Sequence, residues 1–109
     1  MSSPPGEKPK PQPQPQPIDA LQLEIRGEMA ASLGRTAERL EQRLAELGVI
    51  RGEILGLEGA ERVRRVAAYH RLLEEAQEYR WYLMVQREAM GLHHHDALLR
   101  LYPLPPRLR

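Results

Sequence analysis

The chain has 109 residues, a formal net charge of +1 and no cysteine. That length allows one domain and not two, and the missing cysteine excludes a disulfide framework and thiolate chemistry. No apolar run approaches the ~20 residues of a membrane span, and the N-terminus has no signal-peptide h-region. A cytoplasmic protein is expected.

The first 17 residues hold seven of the ten prolines and both lysines, Lys8 and Lys10. Alternating proline fixes φ and removes donors, so residues 1–17 read as a disordered, polyproline-II-like tail. The domain is then residues 18–109, with 14 arginines against 14 acidic residues. Such a balance lacks the basic excess of a nucleic-acid binder. Leu and Ala dominate its apolar set and Phe is absent, a bias that favours helix over sheet.

The first helix is predicted to start at Asp19 as N-cap, with Gln22 at the capping-box position and Ile18 and Leu23 placed as a hydrophobic staple. Its large apolar residues are Leu21, Ile25, Met29, Leu33, Leu40, Leu44 and Leu47, at steps of three, four or seven, which is one helical stripe. Gly48 is predicted to end it. A smaller stripe, Gly27, Ala30, Ala31, Gly34 and Ala37, accompanies it. Interior glycine costs about 1 kcal/mol relative to alanine, and close approach of another backbone across Gly27, Ala30, Gly34 and Ala37 is the functional reason to keep it. The large stripe keeps its phase across Gly34, so one continuous helix is expected.

Residues 48–59 contain Gly48, Gly52, Gly56 and Gly59, and four glycines in so short a stretch predict a loop. A second helix is predicted from Ala60 to Met90, with the stripe Val66, Tyr69, Leu73, Ala76, Tyr79, Leu83, Gln86 and Met90, stopped by Gly91. A short third helix should span His93 to Leu101, before Pro103, and the final PLPPRLR should be extended. The expectation is all-α: an antiparallel helical hairpin with a short C-terminal helix. So small a core is marginal alone, and two hairpins pairing into a four-helix-bundle homodimer would enlarge it. Leu72, Tyr79, Trp81, Tyr82, Leu83 and Gln86 are the expected interface. Within it Gln86 is a polar residue able to fix register.

Four blocks carry a resemblance: Leu33-Gly34-Arg35, Glu38-Arg39-Leu40-Glu41, the run from Val85 to Leu92 (VQREAMGL), and Tyr102-Pro103-Leu104-Pro105. Over about residues 20–106 they resemble a family of short bacterial helical proteins of unknown function, whose pattern has one His after the Gln-Arg-Glu-Ala-x-Gly-Leu block where this chain has three. The resemblance implies a small helical protein and supplies no activity.

His93, His94, His95 and Asp96 are the densest group of possible metal ligands, of a type that suits Zn, Ni or Cu. On a helix adjacent side chains diverge by about 100°, so three neighbouring histidines need an irregular backbone to converge. The competing account is a polar interhelix turn. Arg62, Arg64, Arg65, His70 and Arg71 make one helical stretch basic, but Glu74, Glu75 and Glu78 follow at once and favour a solvated charged face. No catalytic motif is present. The sequence therefore points to a non-enzymatic, homo-oligomeric interaction or adaptor module without a cofactor, whose partner is itself, or in addition an unidentified protein, and neither nucleic acid nor membrane. The alternative is a small-ligand or metal-binding bundle using His93–Asp96.

Overall fold

The computed structural model describes residues 17–109, so the expected tail lies, but for Pro17, outside the described residues. Three helices follow one another: α1 (Pro17–Ile54), α2 (Gly59–Ala89) and α3 (Asp96–Leu101). Helix α1 is already helical at Pro17, the first described residue. Asp19 is thus not an N-cap but a first-turn residue, where a carboxylate meets the positive end of the helix dipole.

Helix α1 passes through Gly34 without a break, as the phase of its stripe predicts. It also passes through Gly48 and Gly52, against the expected loop. The reason is burial. Leu47 and Ile54 extend the stripe of Leu40 into the core, at 1% and 5% exposure. Burying a large aliphatic side chain yields about 1.5–3 kcal/mol, more than the roughly 1 kcal/mol that each helical glycine costs. The reversal is confined to residues 55–58, held by Gly56 N–H to Glu53 O and Leu57 N–H to Ile54 O, both 3.1 Å. Gly59, with φ +63°, then leads into α2.

Helix α2 lies within one residue of its predicted bounds at each end and ends in a Schellman motif. The Gly91 amide donates to Glu88 O and the Leu92 amide to Arg87 O, both at 2.9 Å. Gly91 supplies the left-handed residue this ending requires, with φ +86°. Helix α3 is shorter than expected and starts at Asp96, because His93–His95 form the connection that follows the Schellman turn.

The two long helices pack antiparallel in a constant register. Ser32 meets Gln86, Arg43 meets Glu75, and Glu53 meets Arg65, so every step forward on α1 is matched by an equal step back on α2. Leu40, Leu47 and Ile54 from α1 and Tyr69, Leu73, Ala76 and Leu83 from α2 form the buried seam, and Leu98 of α3 completes it. The segment after α3 turns back along α2 as a strap. The hydroxyl of Tyr69 donates to Pro106 O at 2.7 Å, and His70 Nε2 to Leu108 O at 2.9 Å. Arg80 donates to Tyr102 O and Arg62 to Arg109 O. Tyr102, Leu104 and Leu108 pack on the core from this side. The hairpin is thus a three-sided unit, its third side made by α3 and the strap.

Candidate functional site

The expected interface residues do not share one surface. Leu83 is buried in the seam, and Leu72 and Tyr79 pack against it from its edges. Arg43 spans the seam's rim: its guanidinium lies 5.6 Å from the Tyr79 ring centroid and 2.7 Å from a Glu75 carboxylate oxygen. The hydrogen bond to Glu75 raises the Arg43 pKa above its ordinary value. Gln86 donates through Nε2 to Ser32 Oγ at 3.0 Å, while its Oε1 is buried without a partner. Gln86 therefore sets a polar contact within the chain, between α2 and α1.

Only Trp81 and Tyr82 of that set stay exposed, at 58% and 43%, with their rings 5.3 Å apart. Val85, one turn on, is also exposed. The Tyr82 hydroxyl donates to Glu78 at 3.0 Å, and this hydrogen bond raises its pKa. The sequence stripe grouped these residues by neighbourhood along α2. The structure sorts them by direction, since consecutive side chains around a helix face different neighbours.

A second apolar surface lies where sequence reasoning placed core. On the register above, Met29 stands opposite Ala89, the last residue of α2, so residues 17–28 of α1 project past the end of their partner helix. Their large apolar residues are exposed: Ile18 63%, Leu21 54%, Leu23 65% and Ile25 46%. Ile18, Leu21 and Ile25 continue the inward stripe toward Met29. Around Ile25 and Met29 the surface forms shallow depressions shared with Gln22, Arg26, Ala89 and Met90 on one side and Ala31, Ser32 and Arg35 on the other.

Among the described residues no backbone lies against the small stripe at its glycines. A Cβ built at Gly27 or Gly34 meets no heavy atom within 4 Å; Ala30 is exposed, and only Ala37 packs on the core. Helix propensity then decides the outcome at Gly34. Gly34→Ala should raise stability by about 0.5–1 kcal/mol, read as a higher melting temperature.

The histidine group is dispersed. His95 Nε2 donates to Glu88 Oε1 at 2.9 Å, His94 offers its main-chain oxygen to Arg87 at 2.9 Å, and His93 and His94 are exposed. Among the described residues no three His, Asp or Glu are arranged to hold a metal ion. His93, His94, His95 and Asp96 lie along a connection and a helix start, the divergent geometry that adjacent residues impose. The basic stretch of α2 is partly spent on packing, through Arg62 on the strap and Arg65 on Glu53 at 2.9 Å. Sequence reasoning missed the strap's anchors, Tyr69, His70, Arg80 and the Tyr102–Glu41 hydrogen bond of 2.6 Å, which raises the Tyr102 pKa. The available signal was Leu104 and Leu108 among the prolines, two apolar side chains in a segment otherwise suited to solvent. Among the described residues no helix is long and apolar enough to cross a membrane.

No protein family, curated protein or solved structure matches the chain.

Proposed function

We propose that this chain is a non-enzymatic helical interaction module that pairs with a second copy of itself through the projecting end of α1. The observation that carries the reading is the inward stripe running on, through Ile25, Leu21 and Ile18, beyond the point where α2 ends. A helix end of this length has little support from propensity alone, and Gly27 within it subtracts about 1 kcal/mol. Packing of the stripe against another helix supplies the missing support. A twofold pairing buries the same patch twice, and exposed apolar clusters of this kind mark contact surfaces. Trp81, Tyr82 and Val85 offer a second apolar patch on the outer side of α2.

Light scattering of the full chain at micromolar concentration tests it. The expected mass is twice the 12.5 kDa of one chain. Ile25→Glu should return single chains that have lost part of their helicity, as the projecting end of α1 frays without its partner, whereas Val63→Glu, at a more exposed apolar position of α2, should leave the pairing intact. A mass of 12.5 kDa for the unaltered chain refutes the reading.

A further inference from the structure

A cavity of about 210 Å³ opens where the three helices meet, lined by Leu33 and Ala37 of α1, Leu83 and Arg87 of α2, and Ala97, Leu98, Leu101 and Tyr102 on and after α3. Its walls are aliphatic but for Tyr102, whose hydroxyl is committed to Glu41, and Arg87. Arg87 is the cavity's one charged group. It is half-buried, makes one hydrogen bond, from Nη2 to His94 O, and joins no carboxylate among the described residues. Its Nε is buried with no hydrogen-bond partner. The nearest acid along α2, Glu88, is paired with His95 instead.

A guanidinium whose Nε is buried without a partner carries a desolvation penalty that an anion in contact with it offsets, and its planar fork matches a carboxylate. A space of about 210 Å³ suits a small molecule. We propose that this cavity binds a small monocarboxylate with an apolar body, its carboxylate on Arg87 and its body among Leu33, Leu83, Leu98 and Leu101. The site involves neither the projecting end of α1 nor the pairing proposed above.

Backbone amide NMR of the full chain, titrated with hexanoate and separately with hexan-1-ol, decides it. Hexanoate should shift the amides of Ala37, Arg87, Ala97 and Leu101 saturably and bind about tenfold or more tighter than the alcohol, the margin of a charge-assisted hydrogen bond. Arg87→Met should abolish that preference while leaving hexan-1-ol binding unchanged. Ala97→Leu, which fills the cavity from an exposed position of α3, should abolish both. The proposal is overturned by an absence of saturable shifts, by equal affinities for acid and alcohol, or by hexanoate binding that survives Ala97→Leu. The last comparison holds even where Arg87→Met disturbs the connection that His94 anchors.

Discussion

Leu40→Ala costs about 2–5 kcal/mol of stability, read as a lowered urea midpoint with an unchanged slope. Leu40 is fully buried in the hydrophobic cluster between α1 and α2. A side chain held on several sides leaves a cavity that its neighbours cannot collapse into, which places the loss toward the upper part of the range. Net stabilities of small domains are about 5–15 kcal/mol, and this core has eight buried hydrophobic residues among the described residues. The variant should therefore be partly unfolded at physiological temperature. Leu55→Ala is the control. Leu55 is 88% exposed in the interhelix turn, and its loss should change stability by no more than ~0.5 kcal/mol. Equal effects at the two positions would contradict the seam described above.

The periodicity of α2 was legible because every stripe residue from Tyr69 to Leu83 has a partner on α1 or the strap. The same rule read α1 correctly from Leu33 onward and misplaced its first turns, since a stripe records which residues are apolar and not whether a neighbour reaches them. The glycines misled in one direction. Gly48 and Gly52 are ordinary helical positions because Leu47 and Ile54 together gain more from burial than the glycines lose, and among the described residues only Gly59 and Gly91 adopt the left-handed backbone that glycine favours. The candidate site was less legible than the fold. Arg87 sits in a block that sequence reading singled out, yet nothing along the chain shows that Ala37, Leu83 and Leu101 enclose a space beside it. Tertiary juxtaposition of residues this far apart has no periodic signature.

Removal of residues 102–109 should destabilise the chain by about 3–5 kcal/mol, although the segment contains no regular structure. The largest single contribution comes from Tyr69, whose ring is fully buried and whose hydroxyl donates to Pro106 O. Without its acceptor the hydroxyl is left inside an apolar seam or draws water into it, at about 1–3 kcal/mol. Lost packing of Leu104 and Leu108, both half-buried, supplies the rest at about 1 kcal/mol each. The two causes can be separated, because Tyr69→Phe removes the hydrogen bond and leaves the leucines in place. In the full chain Tyr69→Phe should cost about 1 kcal/mol. In the shortened chain it should cost nothing or be stabilising, since the hydroxyl it deletes no longer has a partner. That non-additivity, measured as a double-mutant cycle from urea midpoints, reads the strap's contact with Tyr69 directly. Costs that simply add would mean that the strap does not rest on the buried tyrosine in solution, and a shortened chain as stable as the full one would mean that α1, α2 and α3 hold the core without it.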